Sequence, residues 1–254
     1  MGDEMKIEEV NSEINALKAK VADFIESAAH DLHAPLRKLS VLVERLVTKH
    51  ESDFDDDAKQ YADRIQSCVQ QMKSLIDGLR GLAIADVQDS SYTECDLNTI
   101  LKQTIEILNE EIAEKNVLID IGELPIVRGN EFQYRQLFKN LLDNSIKFAS
   151  TTVQPKLSVH ADTVSRNEKE LFNLMEDKKY FRIEIEDNGI GFKQHYAEKI
   201  FEPFVRLHPR GQYDGNGLGL AICKKIVTTH KGTIYAEGNE NRGSRFVLIL
   251  PESP

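Results

Sequence analysis

Two asparagines four residues apart, a carboxylate opening a glycine turn, and three alternating glycines follow one another along this chain. The asparagines are Asn140 and Asn144, in the run N-L-L-D-N-S-I-K-F that ends at Phe148. The turn is D-N-G-I-G, Asp187 to Gly191, and the glycines lie in G-N-G-L-G-L, Gly215 to Leu220. On a helix, residues four apart share a face. Asparagine carbonyls can ligate a hard cation such as magnesium, which keeps waters and nucleotide phosphates as its other ligands. Lys147 follows within reach of a phosphate. Asp187 can accept a hydrogen bond from the exocyclic amine of adenine, while Gly189 and Gly191 let backbone approach a ring closely. Gly215, Gly217 and Gly219 open a helix at Leu218, where backbone N–H groups and the helix dipole favour phosphate. In this order the three segments describe a nucleotide pocket.

Each segment alone has a plainer reading. An asparagine pair is a polar helix face, Asp187 a turn cap, and the glycines a flexible loop. Neither G-x-G-x-x-G nor G-x-x-x-x-G-K-[ST] occurs, which disfavours a Rossmann or P-loop site. Between the glycine segments lie I-F-E-P-F-V-R, ending at Arg206, and then P-R-G-Q-Y-D-G. Aromatics followed by glycines read as a lid with hydrophobic anchors, or as a loop with core-facing phenylalanines. Arg206 is a candidate for the outer phosphate.

A second constellation lies far upstream, where His30 precedes Asp31. Neutral imidazole is nucleophilic near pH 7. An adjacent carboxylate can orient the ring and take its second proton. A pocket plus an exposed histidine suggests phosphoryl transfer to histidine. His33, His50, His160, His195, His208 and His230 are read as ordinary surface residues.

The 254 residues are enough for one or two domains. A hydrophobic fraction of 41% supplies a core, and a formal charge of −10 argues against nucleic acid as partner. Cys68, Cys95 and Cys223 stand far apart, so neither a zinc site nor a disulfide framework is indicated. No apolar run is long enough to span a membrane. A cytoplasmic protein is expected, or the soluble end of a longer, membrane-anchored receptor, since the opening residues read as a cut through a helix.

The elements that must position these residues follow from periodicity. Ile7, Val10, Ile14, Leu17, Val21, Phe24 and Ala28 alternate three and four apart, the seam of a parallel coiled coil. Ala28, Leu32 and Leu36 then step by four, which locally unwinds a supercoil around His30. At about 100° per residue His30 points away from that seam. Pro35 predicts a bent helix that continues and bulges near His30. An acidic stretch, Glu51 to Asp57, reads as a solvated turn. Tyr61, Ile65, Cys68, Met72, Leu75, Leu79 and Leu82 then form a second stripe, which Ala62, Val69, Ile76 and Ala83 widen. Two such helices make a hairpin, and two hairpins pair into a four-helix bundle, so a homodimer is expected.

Residues 86–94 read as a polar linker. Beyond it, helices are predicted at Leu97 to Glu114 (Asp96 as N-cap), Asn130 to Phe148 and Leu218 to His230. Strands are predicted at Val117 to Ile121, Leu157 to Val164, Tyr180 to Glu186, Thr233 to Glu237 and Arg245 to Leu250. Ser165 to Lys179 is a charged connection with no evident role. The pattern gives a helical hairpin followed by an α+β two-layer sandwich with helices on one face.

In this order the segments resemble the transmitter region of sensor histidine kinases. The resemblance rests on F-I-E-S-A-A-H-D-L-H-A-P-L-R-K-L around His30, N-L-L-D-N-S-I-K-F, D-N-G-I-G-F, I-F-E-P-F, G-N-G-L-G-L-A-I and a final G-S-R-F, Gly243 to Phe246. Each is weak alone, and together they span nearly the whole chain. The resemblance implies a signalling coiled coil over 1–22, a dimerisation and histidine-phosphotransfer hairpin over 23–88, a linker over 89–95 and a gyrase-like catalytic ATP-binding domain over 96–254. It implies His30 as phosphoacceptor with Asp31 as its acid–base partner. By the same resemblance Asn144 would ligate magnesium with Asn140 in support, Lys147 would contact phosphate, Phe148 would line the adenine side, Asp187 would read adenine, and Arg206 would meet phosphate from the lid. ATP is the phosphoryl donor, and the receiver domain of a response regulator is the onward acceptor.

Two departures carry expectations. Where many members place threonine or asparagine four residues after the histidine, this chain has Ala34, so phosphatase activity is expected to be weak. Where hydrolysing relatives carry a water-activating glutamate, this chain has Asn140, so ATP hydrolysis is expected to be poor. The alternatives are a clamp-type ATPase of the same superfamily and a non-catalytic dimeric scaffold.

Overall fold

The structure, a computed structural model, describes residues 2–50, 54–85, 92–208, 213 and 215–254. The middle of the acidic turn (51–53), most of the linker (86–91) and the lid tip (209–212 and 214) lie outside the described residues, as does the side chain of Ile7. The chain divides into two compact units, 1–87 and 88–254.

The first unit is a helical hairpin of α1 (Gly2–Lys49) and α2 (Asp56–Ala85). Helix α1 runs unbroken through Pro35, as expected, although proline removes one backbone bond. Helix α2 starts inside the acidic stretch: Asp55 Oδ1 accepts the Ala58 N–H at 2.7 Å, and Asp56 and Asp57 sit in the first turn, where the helix dipole favours negative charge. Ala22, Ala29 and Val43 of α1 are buried, as are Ala62 and Val69 of α2. These positions are seven or fourteen residues apart within each helix and hold only alanine or valine, so the helix axes approach closely. Ser40 and Gln66 lock the register reciprocally: Ser40 Oγ donates to Gln66 Oε1 at 2.8 Å, and Gln66 Nε2 donates to Ser40 O at 2.9 Å.

The packing corrects one expectation. Ala62 and Val69, expected to widen the outer stripe, are buried within the hairpin, whereas Ile76 and Ala83 of the same series are half-buried. The outer stripe remains uncovered, with Phe24 73% exposed and Leu32, Leu46, Tyr61, Ile65, Met72 and Leu79 all exposed.

The second unit is a five-stranded sheet in the order β2-β4-β5-β7-β6, layered with helices. The strands are β2 (Leu118–Ile121), β4 (Lys156–Thr163), β5 (Tyr180–Asp187), β6 (Thr233–Asn239) and β7 (Gly243–Pro251). Among the described residues, only β2 and β4 pair in parallel. A separate ribbon pairs β1 (Thr93–Asp96) with β3 (Ile126–Gly129). Val159, Ile185, Phe246 and Ala236 lie side by side across four strands and are buried, as are Ile183, Leu248 and Ile234 in the next row. The helix layer comprises α3 (Leu97–Ile107), α5 (Glu131–Lys147) and α7 (Gly219–Thr229). Helix α5 is its centre, burying Tyr134, Leu137, Phe138, Leu141, Leu142 and Ile146.

Four differences from the sequence reading stand out. The helix expected over Leu97 to Glu114 breaks at Leu108 (φ −95°, ψ 10°) into α3 and α4 (Asn109–Glu114). The break turns Leu108 into the core while leaving Ile107 exposed. Thr93 to Cys95, assigned to the linker, are strand. The charged connection after β4 holds α6 (Arg166–Leu171), fastened by a capping box between Ser165 and Glu168. Phe172 and Leu174 beyond it pack with Tyr235 on Val164, Tyr180 and Ile249, covering part of the sheet's second face. His230, read as a surface residue, is fully buried: its Nε2 accepts the Asn130 N–H at 3.1 Å, Nδ1 lies 2.9 Å from Ile226 O, and Tyr92 stacks on the ring.

Candidate active site

The carboxylate at the end of β5 is the most completely built feature. Asp187 is 7% exposed. Its Oδ1 accepts the N–H groups of Gly189 at 2.9 Å and Ser244 at 3.3 Å. Its Oδ2 accepts the hydroxyls of Ser244 at 2.5 Å and Ser145 at 3.3 Å. Burial raises its pKa above the ordinary aspartate value, and these four donors oppose that shift by favouring the ionised form. Ser145 and Ser244 were not among the predicted site residues. Both stand inside quoted motifs, and only the fold shows that they meet at one carboxylate.

The glycine turn brings Phe148 to the same place. Ile190 N–H donates to Phe148 O at 3.0 Å. A Cβ on Gly189 would lie 2.3 Å from that carbonyl oxygen, closer than atoms can approach, so a side chain there would force the turn away from α5. Gly191 adopts φ 60°, a conformation costly for other residues.

Helix α5 presents the asparagines. Its N-cap is Asn130, whose side chain accepts from Gln133 N. Asn140 Nδ2 donates to Gly219 O at 3.2 Å, tying α5 to the first turn of α7. Asn144, one turn on, is half-buried. Lys147 Nζ lies 4.7 Å from the centre of the Phe148 ring, a cation–π distance. The same ring is 4.9 Å from that of Tyr213 and 5.7 Å from that of His208. Asn140, Lys147, Phe148, Asp187, Gly189 and the loop before α7 are thus joined at one end of the sheet by direct contacts.

Arg206 donates from Nη1 to Gly215 O at 2.8 Å and from Nη2 to Tyr213 O at 2.7 Å, so its guanidinium binds lid backbone. Leu218 is fully buried, and its N–H goes to Asn216 Oδ1 at 2.8 Å. Leu218 anchors the loop. The N-cap of helix α7, Leu218, makes no side-chain capping bond among the described residues. Gly217 O accepts Phe204 N–H at 2.9 Å, holding the loop against the phenylalanine segment.

In the hairpin, the His30 side chain is 87% exposed, and its Nδ1 lies 3.5 Å from Asp31 Oδ1. Its neighbour Ala29 is buried against α2. His30 thus projects into solvent, while Leu32 of the seam from which it was expected to point away is itself exposed. His33, one turn further, is only a quarter exposed, with Nε2 at 3.2 Å from Asp77 Oδ1 on α2.

A buried carboxylate beside a glycine turn, an asparagine helix and a glycine-opened helix define an ATP-binding domain, here preceded by a hairpin with an open histidine. Comparison with known proteins agrees unit by unit. Residues 20–87 match the His Kinase A (phospho-acceptor) domain, and residues 129–254 match the histidine kinase-, DNA gyrase B-, and HSP90-like ATPase. The chain belongs to the sensor histidine kinases, of which it forms a transmitter region.

The chain is 35% identical over 92% of its length to the phytochrome-like protein Cph1 of Synechocystis, and 32% identical over 92% to cyanobacterial phytochrome A of Nostoc. It spans 29% of the length of each of these relatives. Among solved structures, full-length ShkA in complex with AMPPNP shares the fold over 90% of this chain and 45% of its own, with a TM-score of 0.64 and 21% identity. The catalytic domain of histidine kinase ThkA matches 65% of this chain and 97% of its own, with a TM-score of 0.51 and 26% identity. No helix among the described residues is long and apolar enough to cross a membrane.

Proposed function

We propose that the chain is an ATP-dependent histidine autokinase that phosphorylates His30 and passes the phosphoryl group to an aspartate of a response-regulator receiver domain. The observation that carries this is Asp187: a buried, four-fold hydrogen-bonded carboxylate beside Phe148, in a chain whose hairpin exposes His30. An ionised carboxylate there accepts from the exocyclic amine of adenine. Phe148 offers a ring face to the base, and Lys147 a charge to the phosphates. The open start of α7 offers N–H groups to phosphate.

In the transfer, the bond between His30 nitrogen and the γ-phosphorus forms as the bond from that phosphorus to the bridging oxygen breaks, and ADP leaves. The 3.5 Å contact puts Nδ1 toward Asp31, which supports Nε2 as the nucleophile and Asp31 as the group that takes the ring proton. Rate acceleration comes mainly from positioning and charge neutralisation.

Magnesium fits the donor set. Asn144 is half-buried on the face of α5 that carries Asn140, and an amide carbonyl is a hard oxygen ligand. Asn144 would hold the ion, with Asn140 bracing α7 beside it. When bound, magnesium neutralises phosphate oxygens.

The uncovered outer stripe of the hairpin is the dimer surface, closing a four-helix bundle with a second copy. The unbroken course of α1 from Gly2 past His30 makes its N-terminal part, 1–22, the segment that delivers a signal. Domain functions follow as 23–88 for phosphotransfer and dimerisation and 96–254 for ATP binding.

Incubation with γ-labelled ATP and magnesium, beside a His30→Gln variant, tests this. Acid-labile, alkali-stable label on the wild type alone is the expected result. Label that persists in the variant, or a wild type that binds no ATP, overturns it.

A further inference from the structure

Helix α5 ends at Lys147, and the next residue, Phe148, is its C-cap. The last four carbonyls of any helix lack intrahelical partners. Here two of them are taken by one side chain from outside the helix. Lys115 Nζ donates to Ile146 O at 2.9 Å and to Lys147 O at 3.2 Å. Placed at the negative end of the helix dipole, an ammonium group is stabilised as well as stabilising.

The lysine is itself held in place. Lys115 caps α4, Asn116 follows with φ 51°, Asn116 N–H donates to Ala113 O at 3.2 Å, and Val117 N–H donates to Ile112 O at 3.0 Å. That pair of bonds is the Schellman motif, with asparagine in its left-handed position. Leu118 N–H then donates to Pro155 O at 2.9 Å, joining the turn to the sheet. The base of Lys115 is therefore fixed on two sides, and its tip is fixed on α5.

The carbonyls it grips belong to the turn from which Lys147 and Phe148 project. Phe148 O is held from the other side by Ile190 N–H, within the glycine turn after Asp187. From these contacts we infer that Lys115 is a positioning residue of the nucleotide site. It clamps the C-terminal turn of α5 so that the Phe148 ring and the Lys147 ammonium face the nucleotide before it arrives. This inference rests on the proposed ATP-binding reading. Nothing about Lys115 in the sequence suggests it, because its partners are backbone atoms 31 and 32 residues away.

The test compares wild type with Lys115→Met, which keeps the stem and removes the ammonium, and Lys115→Arg, which keeps charge and donors. Affinity for magnesium-ATP is titrated directly, and autophosphorylation is split into KM for ATP and kcat. Lys115→Met is expected to weaken ATP binding and raise KM about tenfold, as for one lost charged hydrogen bond, with kcat at saturating ATP within about twofold. Lys115→Arg is expected to restore binding to within about threefold of wild type. A lowered melting temperature with unchanged ATP affinity would make Lys115 a structural cap only and overturn the inference. Equal loss in the arginine and methionine variants would do the same, and would serve if either variant folded poorly. Absence of ATP binding by the wild type overturns the underlying reading instead, so the two failures are told apart.

Discussion

Ser244 Oγ lies 2.5 Å from Asp187 Oδ2, in a cross-strand pair that the register of β5 and β7 places directly opposite. A hydroxyl so close to a buried carboxylate favours its ionised form and fixes the direction of its second oxygen. Ser244→Ala removes that donor and leaves the strand pairing intact. We expect ATP affinity to fall about fivefold to tenfold, the scale of one hydrogen bond to a charged group. Asp187→Asn should cost more, about tenfold to 100-fold, because an amide can turn a donor toward the adenine amine. Calorimetric titration with ATP checks both; equal affinity in all three proteins would remove adenine recognition from Asp187.

The burial of Asp187 also sets a pH dependence. Its pKa is raised, so the ionised form is lost at a higher pH than for an ordinary aspartate. ATP affinity should therefore decline on acidification before exposed carboxylates titrate. Stability runs the other way for this group. A raised carboxylate pKa contributes stability below the unfolded value of about 3.9, lost as pH rises through the folded value. In Asp187→Asn both slopes should flatten. An affinity profile identical in wild type and variant would contradict this.

His230 makes the opposite contribution. Burial lowers its pKa, so the folded state holds it neutral where the unfolded chain would protonate it. Its stability contribution is present above the unfolded value of about 6.5 and is lost as pH falls toward the folded value. Melting temperatures of the wild type between pH 8 and 5 (about one unit or more either side of that value) should drop more steeply than those of His230→Phe. The variant should be less stable throughout by about 1–3 kcal/mol, since the Asn130 N–H loses its acceptor.

The hairpin's exposed stripe predicts an oligomer. Sedimentation of the wild type should give twice the chain mass. Ile65→Glu, a charge placed at a residue that is 44% exposed, should yield monomers without reducing ATP affinity. A monomeric wild type would refute the bundle.

Ala34 is exposed one helical turn after His30. It has no polar atom to position a water on an acyl phosphate. Dephosphorylation of the cognate regulator should be slow, and Ala34→Thr should speed it severalfold. A fast wild-type phosphatase would show that another group serves.

Much of this protein is readable along the chain because the informative contacts are local. The 3.6-residue period of α2 and α5, the N-cap at Asp96 (its side chain accepts from Asn98 N) and the exposed side of α1 at His30 depend on neighbours within a few residues. The order of motifs likewise singled out Asp187, Asn140 and the glycines. What tertiary structure alone decided are the contacts between residues far apart in sequence. Ser145 and Ser244 converge on Asp187 only because α5 packs on β5 and β7 pairs with it. Arg206 binds lid carbonyls, and Lys115 closes the end of α5. The short strands β1 and β3 exist only as each other's partner, since four residues carry too little periodicity to declare a strand. The hairpin's two apolar series look alike in sequence, and only helix packing separates the small inner face from the stripe left for a second chain. Local propensity specifies elements, whereas the partners of buried polar groups are set by which elements the core brings together.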